Sequence, residues 1–252
     1  MVVYGRSRHP GTIDPLAMPT SYLNTILEDS PAGLWMLDDT SGTTANDMSG
    51  NARHGAYIAG FTLGQAGPGR VGSAVALTGE GSGTGRVTFP ASAVSALASD
   101  FTMGILVKLD AAGDAWNLLS VVSATQYAQP IQISYGSATM TTNKLTVNIG
   151  SSGSAETTLW TDTGSDQGTG WHHIALRASS TTYSLFVDGA SIASRTDGAA
   201  RASSGDVLSL GRRTASSTQR GRSGKYAGLY VVGSALSDAT IATHAAAGLA
   251  AV

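Results

Sequence analysis

The sequence predicts an all-β protein folded as a single antiparallel sandwich, and three observations support this prediction. Apolar side chains recur at every second position through Phe101–Leu109, which places them on one face of a strand. Asp188-Gly189 joins two strand-like runs and supplies the positive φ angles of a tight type I′ hairpin. The 32 glycines and the low charged fraction of 13% are typical of short strands joined by turns. No regular alternation of strands and helices occurs, which argues against a parallel sheet.

Shorter runs with strand composition follow along the chain, and turn residues separate nearly all of them. Besides 101–109, the predicted strands are 73–77, 86–89, 118–122, 131–135, 145–149, 171–177, 182–187 and 191–194. A short helix capped by Ser21 precedes the strands, and residues 29–31 end it. A second short helix begins after the cap Ser237 and ends near Gly248.

The chain divides into residues 1–30, an anchoring arm with a short helix, and residues 31–252, the sandwich domain. Residues 1–20 contain three prolines and show neither a strand nor a helix period. A frayed terminus without a role is one interpretation. Docking onto another surface is the other, because the apolar residues of the arm would otherwise be exposed to water. The predicted partner-binding residues of the arm are Val2, Val3, Tyr4, Arg6 and Arg8.

Composition excludes several classes of function. A net charge of −2 gives no global field that would attract nucleic acid or an anionic membrane. The chain has no cysteine, so it has neither disulfides nor thiolate metal sites. No apolar run is long enough to span a bilayer, and residues 1–10 lack the apolar stretch of a secretory signal. These features predict synthesis in a cytoplasm and no membrane insertion.

Ordered motifs between about residues 22 and 248 resemble the laminin-G-like, concanavalin A-like jelly roll. The matching segments are LWMLDDTSGTT at 34–44, DMSGN at 47–51, SAVAL at 73–77, GWHHIA at 170–175, FVDG at 186–189, LSLGR at 208–212, YAG at 226–228 and ALSD at 235–238. The resemblance implies two antiparallel sheets packed face to face, with a short helix at each end. Lectins, glucanases, adhesion modules and viral proteins share this fold, so the fold alone does not name the function.

The lead-in YLNTILEDSPAGLW at 22–35 is similar to the start of such domains in tailed-bacteriophage minor tail and head-decoration proteins. This similarity implies a non-enzymatic structural or adhesion component of a virion, made in the host cytoplasm and anchored by its arm. Its partners would be capsid or tail subunits, and self-association into a homo-oligomer is compatible with this role. The alternative is a carbohydrate-binding module that recognises host-surface or environmental glycans.

Residue chemistry predicts no catalytic residues and therefore no enzyme. The glutamates Glu28, Glu80 and Glu156 are scattered, and no Glu-x-Asp-x-x-Glu signature of the fold's glucanases occurs. The adjacent pair His172-His173 lies on a predicted strand, where consecutive side chains point to opposite faces and cannot share one ion. We expect one structural and one surface histidine.

A calcium site is one interpretation of the loop near residue 50, because Asp and Asn supply hard oxygen ligands. The candidate ligands are Asp39, Asp47 and Asn51. In similar domains a further acidic residue often follows the glycine of the penultimate strand, but residues 228–232 contain none. The alternative is that residues 47–51 simply form a turn. No other cofactor is predicted.

A locally basic segment near the C-terminus is the second candidate contact with a partner. Guanidinium groups suit carboxylates of a partner subunit, whereas a solvated polar hairpin loop is the alternative. The residues involved are Arg212, Arg213, Arg220 and Arg222.

Aromatic side chains of such sandwiches can stack on sugar rings, which makes some of them candidates for glycan binding. The candidates are Trp116, Tyr127, Tyr135 and Trp160. Each also fits a position in the core, and the sequence leaves both interpretations open.

Overall fold

The structure is a computed structural model that describes residues 21–79, 85–110, 116–122, 131–135, 145–149, 157–163, 169–196, 206–211 and 221–250. The helices are α1 (Tyr22–Leu27), α2 (Ala91–Val94) and α3 (Asp238–Leu249). The strands are β1 (Gly33–Trp35), β2 (Thr44–Ala45), β3 (Gly55–Ile58), β4 (Phe61–Ala66), β5 (Ser73–Leu77), β6 (Arg86–Phe89), β7 (Phe101–Leu109), β8 (Trp116–Val122), β9 (Ile131–Tyr135), β10 (Leu145–Ile149), β11 (Thr157–Thr163), β12 (Trp171–Ser179), β13 (Thr182–Val187), β14 (Ala190–Thr196), β15 (Val207–Gly211) and β16 (Gly224–Val232).

These strands form two antiparallel sheets of eight strands each within the described residues. Sheet A has the order β14-β13-β12-β7-β16-β5-β4, and β1 pairs with β16 beside this path. Sheet B has the order β11-β10-β9-β8-β15-β6-β3-β2. Strands distant in sequence are neighbours in both sheets, as in a jelly roll. The predicted two-sheet sandwich with a short helix at each end is therefore confirmed.

The main core lies between the two sheets. β7 shows how the sequence builds it, because Phe101, Met103 and Ile105 alternate inward and are essentially unexposed. Sheet B meets them with residues such as Leu119 and Val147, which are equally buried. Burial of each such side chain contributes roughly 1.5–3 kcal/mol, so this layer supplies most of the driving force for folding.

The outer face of sheet A is also apolar, and helices α1 and α3 cover it. We call these two helices the helical layer. Leu106 of β7 points to this side and packs in a second cluster with Tyr22 and Ile26 of α1. The Tyr22 hydroxyl donates a 2.7 Å hydrogen bond to the carbonyl of Gly228. A side chain at Gly228 would collide with the Tyr22 ring, so glycine is required for this contact.

The helix caps and the predicted hairpin are confirmed. Ser21 accepts a hydrogen bond from the backbone N–H of Asn24, and Ser237 accepts one from that of Thr240. In the hairpin between β13 and β14, Asp188 has a φ of 50° and Gly189 a φ of 82°. Two successive positive φ angles define the type I′ turn that the Asp-Gly pair predicts.

Helix α1, which belongs to the predicted arm, packs directly on sheet A through Tyr22 and Ile26. Residues 1–20, including the predicted contacts Val2, Val3, Tyr4, Arg6 and Arg8, lie outside the described residues.

Candidate functional site

The outer face of sheet B is polar, in contrast to that of sheet A. In β8, β9 and β10 the apolar residues point to the core, so the residues between them point away from it. These outward residues carry hydroxyl or amide groups and no charge. We call them the polar face: Thr88, Asn117, Ser120, Gln132, Ser134, Thr146, Asn148 and Ser209.

Strand register brings the members of the polar face into rows. Thr88 pairs with Ser209, and Ser209 pairs with Ser120. Ser120 in turn pairs with Gln132, and Gln132 pairs with Asn148. Since neighbouring strands lie about 4.8 Å apart, this row is roughly 20 Å long. A second row joins Asn117 to Ser134 and Thr146, because a bulge in β8 returns Asn117 to the same face as Ser120.

Some polar groups of this face bond to one another and others have no partner. The Gln132 amide nitrogen donates to Ser134 Oγ at 2.7 Å and also to the amide oxygen of Asn117. Asn148 Nδ2 lies 3.5 Å from Gln132 Oε1, at the limit of a hydrogen bond. Among the described residues, Asn117 Nδ2, Ser120 Oγ and Asn148 Oδ1 are buried without a hydrogen-bond partner. Unsatisfied buried polar groups are rare in folded proteins and require an explanation.

The polar face combines groups of different accessibility. Gln132, Asn148 and Thr88 are half-buried, whereas Ser120 and Asn117 beside them are buried. Amide and hydroxyl groups donate and accept hydrogen bonds without carrying charge. Such an arrangement suits an uncharged ligand rich in hydroxyl groups.

The polar face was not among the sites predicted from the sequence. The signal is present in the predicted strands 118–122, 131–135 and 145–149, where Ser, Gln, Thr and Asn alternate with apolar residues. Such alternation, however, also predicts an ordinary solvent-exposed face without a ligand. The register that aligns the three strands depends on how they pair and cannot be predicted from any one of them.

For the aromatic residues predicted to bind glycans, the structure describes at most the position of the backbone. Trp116 pairs with Tyr135, and Tyr135 pairs with Leu145. Trp160 of β11 pairs with Val147 of the neighbouring strand β10. Their side chains and the whole of Tyr127 lie outside the described part of the chain, so stacking on sugars stays a prediction.

The candidate calcium loop is held by a dense set of protein hydrogen bonds. Asp47 Oδ1 accepts from the backbone N–H of Leu34 at 3.0 Å and of Ser49 at 2.9 Å. Its Oδ2 accepts from the Ser49 hydroxyl and from the backbone N–H of Arg53, both at 2.9 Å. Partial burial raises the pKa of Asp47, but these hydrogen bonds outweigh burial and hold that pKa below its ordinary value of 3.8.

The other two candidate ligands also bond to protein groups. The Asn51 side-chain amide donates to the carbonyl of Pro31 at 3.1 Å. Asp39 accepts from the Tyr57 hydroxyl at 2.7 Å and from the Asn46 amide. Across the described ranges, no group of three or more His, Asp or Glu side chains is arranged to hold a metal ion. The geometry favours the turn interpretation, and calcium binding stays a prediction.

The basic segment is only partly described, and the structure corrects the prediction for one of its residues. Arg222 does not lie in an exposed loop, because its side chain is 5% exposed. Its guanidinium lies 3.4 Å from the carbonyl of Asp110, and its backbone N–H donates to Asn117 at 3.1 Å. Packing against these two strand ends, which are distant in sequence, buries it. Arg212, Arg213 and Arg220 lie outside the described residues.

The adjacent histidines divide as predicted. His173 is fully buried on the outer face of sheet A, whereas the side chain of His172 is 21% exposed. His172 Nδ1 lies 2.8 Å from Asp188 Oδ2, and Asp188 Oδ1 accepts from the backbone N–H of His173. The pair therefore holds the β13–β14 hairpin against the start of β12.

Of the three glutamates, the structure describes Glu28, which lies at the end of α1 and is exposed. Glu80 and Glu156 lie outside the described residues. No described helix is long and apolar enough to cross a membrane.

The two sheets, their register and the helical layer define the class of lectin-like jelly rolls. A family model described as the concanavalin A-like lectin/glucanases superfamily (Laminin_G_3) matches residues 81–242. This match covers more than half of the chain, and the chain belongs to that family. A search of curated proteins found no match.

Solved structures with the same fold include enzymes and binding domains. The chain is similar to Trypanosoma rangeli sialidase in complex with sialic acid, with 17% identity and a TM-score of 0.63 over 84% of this chain and 32% of the sialidase. It is also similar to the binding domain of Botulinum neurotoxin DC in complex with SialylT, with 12% identity and a TM-score of 0.65 over 86% of this chain and 51% of that domain. The same toxin domain is solved with rat synaptotagmin II, with a TM-score of 0.64 and 12% identity over the same shares. The chain thus spans a third to a half of these proteins, and the likeness shows the fold.

Proposed function

We propose that the protein is a non-catalytic carbohydrate-binding module whose polar face binds an uncharged glycan. The observation that supports this function most directly is the row of uncharged donors and acceptors in which Gln132, Asn148 and Thr88 are half-buried. Beside them, polar atoms of Asn117, Ser120 and Asn148 are buried without a partner in the described structure, at a cost of about 1–3 kcal/mol for each such group.

The chemistry of a sugar matches that of the polar face. Each hydroxyl of a saccharide both donates and accepts, as the hydroxyl of Ser120 and the amides of Gln132 and Asn148 require. The row of side chains extends across five strands, which fits an oligosaccharide better than a single sugar. The family of the chain, and the complexes of two similar structures with sialic acid and with SialylT, support a carbohydrate as the ligand.

Aromatic stacking would complete such a site. We propose Trp116, Tyr127, Tyr135 and Trp160 as the residues to examine for this role, since three of them lie on the strands of the polar sheet.

Glycan binding can be tested with a glycan array and with variants of the polar face. We expect the unmodified protein to bind one or more uncharged oligosaccharides. The double variant Gln132→Ala, Asn148→Ala should lose about fivefold to about 150-fold in affinity, because two hydrogen bonds at about 0.5–1.5 kcal/mol each disappear. Gln65→Ala is the matched control, since Gln65 is a half-buried glutamine on β4 of the other sheet. No binding to any glycan, or equal affinity of both variants, would contradict the proposal.

The narrower proposal is that this module belongs to a bacteriophage virion and is held there by residues 1–20. One structural observation favours an anchor at this end. Helix α1 is fixed to the outer face of sheet A, so a segment that precedes it starts on the side opposite the polar face. A virion subunit bound there would leave the polar face directed outward.

Deletion of residues 1–20 tests the virion role. The truncated protein should keep its melting temperature, because the contacts of α1 remain, but should no longer be incorporated into particles. Unchanged incorporation would rule out anchoring by this segment. The glycan-binding proposal does not depend on this result.

A further inference from the structure

Four ionisable side chains from four separate segments meet between sheet A and the helical layer. His244 of α3 lies with its Nε2 2.7 Å from Oδ2 of Asp29, which follows α1. The ring of Tyr230 in β16 meets the His244 ring edge-on at a centroid distance of 5.1 Å. The Tyr230 hydroxyl lies 3.3 Å from Nε2 of His173 in β12. The network thus joins both helices to two central strands of sheet A.

The two histidines are buried with too few partners for a charged imidazolium. Neither His173 nor His244 is exposed, and within the described structure Nδ1 of each has no hydrogen-bond partner. A neutral imidazole has one N–H, whereas the protonated ring has two and needs an acceptor for each. Protonation in place would therefore leave a buried charge and a buried N–H without an acceptor.

The charged and titratable neighbours do not reverse the preference of His173 and His244 for the neutral state. Burial lowers the pKa of His173 to about 3, the field of His244 adds to this effect, and Asp188 opposes it. Burial also lowers the pKa of His244, against the hydrogen bond that its Nε2–H donates to Asp29 and the fields of Asp29 and Glu28. Tyr230 and Tyr22 also lie here, and burial raises the pKa of both. Arg177 of β12 and Asp238 of α3 form an ion pair between sheet A and the helical layer.

We propose that the helical layer is acid-labile: when His173 and His244 become protonated, α1 and α3 leave sheet A while the two-sheet core stays folded. Both rings lie outside the main core, on the side that the helices cover. Detachment of the helices therefore gives water access to His173 without opening the sandwich. Acid would separate the N-terminal helix, and whatever residues 1–20 bind, from the rest of the domain. This inference does not depend on glycan binding.

The direction of the pH dependence follows from the histidine pKa values. The folded pKa lies below the ordinary value of 6.5, so the stability of the attached layer is complete above about pH 6.5 and falls as the pH drops below it. A shift to about 3 predicts that the ratio of detached to attached layer rises on the order of a hundredfold between about pH 7.5 and about pH 4.5. Asp47 and Asp188 have lowered pKa values, so their contributions are lost only below their ordinary value of 3.8.

Hydrogen–deuterium exchange of the full chain at these two pH values tests the inference, after correction for the intrinsic rate. We expect the amides of α1 and α3 to lose protection at the lower pH while those of β8 and β9 keep theirs. His173→Gln and His244→Gln, which cannot be protonated, should each remove much of this difference. His54→Gln is the control, because His54 is an exposed histidine outside the network. Equal protection of α1 at both pH values, or its loss together with β8, would overturn the inference.

A titration of the unmodified protein decides the matter if a glutamine variant does not fold. Nuclear magnetic resonance of the histidine side chains should show His173 neutral in the folded protein down to about pH 4.5. The inference fails if His173 and His244 become protonated near their ordinary pKa of 6.5 while α1 and α3 remain protected.

Discussion

The two outer faces of the sandwich differ although the two sheets have the same number of strands. On sheet A the outward residues of β7 and β16, such as Leu106 and Tyr230, are apolar or aromatic and are sealed by α1 and α3. On sheet B the outward residues of β8, β9 and β10 include Ser, Thr, Asn and Gln, while Arg86 of β6 and Val207 of β15 also point outward. Neither α1 nor α3 packs on this face. The first face contributes to stability, and the second retains hydrogen-bonding capacity that the described residues do not use.

The largest expected effect on stability comes from a substitution that creates a cavity beneath the helical layer, and it tests whether this layer stabilises sheet A. Leu106→Ala removes a fully buried side chain from the cluster around Tyr22 and should lower the free energy of unfolding by about 2–5 kcal/mol. Chemical denaturation measures this change. Leu27→Ala is the control, because Leu27 is 37% exposed and should change stability by less than about 0.5 kcal/mol. Equal effects of the two substitutions would show that the layer does not stabilise the fold.

Asp47 belongs to neither outer face. Its substitution tests whether polar groups with hydrogen-bond partners stabilise the protein outside the two outer faces as well. Asp47→Ala leaves the donors of Leu34, Ser49 and Arg53 without their acceptor and should cost about 2–3 kcal/mol in denaturant unfolding. Because the folded pKa of Asp47 lies below 3.8, this contribution is present above pH 3.8 and is lost as the pH falls through the folded pKa. A variant that loses no stability, or an unmodified protein that gains stability from calcium, would favour the metal interpretation of the loop.

Removal of one hydroxyl from each outer face compares the contributions of the two faces to stability directly. Thr102→Val is the substitution on sheet A. Thr102 on the outer side of sheet A donates to the carbonyl of Ser234 at 3.0 Å and accepts from the N–H of Leu236 at 2.9 Å. Its loss should cost about 1–2 kcal/mol in thermal or chemical unfolding. A neutral result would mean that water replaces both hydrogen bonds.

Ser120→Ala is the substitution on the polar face and should have the smallest effect. The Ser120 hydroxyl is buried without a described partner, so its removal should change stability by less than about 0.5 kcal/mol. The same denaturation experiment measures it, and glycan affinity should fall although stability does not. A loss as large as that of Thr102→Val would show that Ser120 has a structural partner, and would weaken the case for the polar face as a binding site.

Local patterns in the sequence predicted much of the secondary structure. The strands 73–77, 131–135 and 145–149 match the observed β5, β9 and β10, because alternation and turn residues act over a few neighbouring positions. Strands β1, β2, β3, β4 and β11 were not predicted, and β15 and β16 were represented only by the motifs at 208–212 and 226–228. β1, β2 and β3 are two to four residues long, and β4 and β11 are rich in Thr, Gly or Gln and lack a clear apolar alternation.

The candidate sites were less predictable, because they depend on contacts between distant residues. Asp29 and His244 are 215 positions apart and neither lies in a recognisable motif. Ser120 and Ser209 become neighbours only because β15 inserts between β8 and β6. Arg222 was expected at the surface, since a run of arginines and polar residues surrounds it, but its side chain packs against Asp110.

The sequence by itself determined the all-β class, the two helix caps, the Asp188-Gly189 hairpin and the division of His172 from His173. Each of these features depends on the backbone preferences of a few adjacent residues, and such preferences do not require the rest of the fold. Only the tertiary structure decided which outward face the helices cover and which polar groups lack partners. Those properties depend on strand order and burial, to which residues from the whole length of the chain contribute.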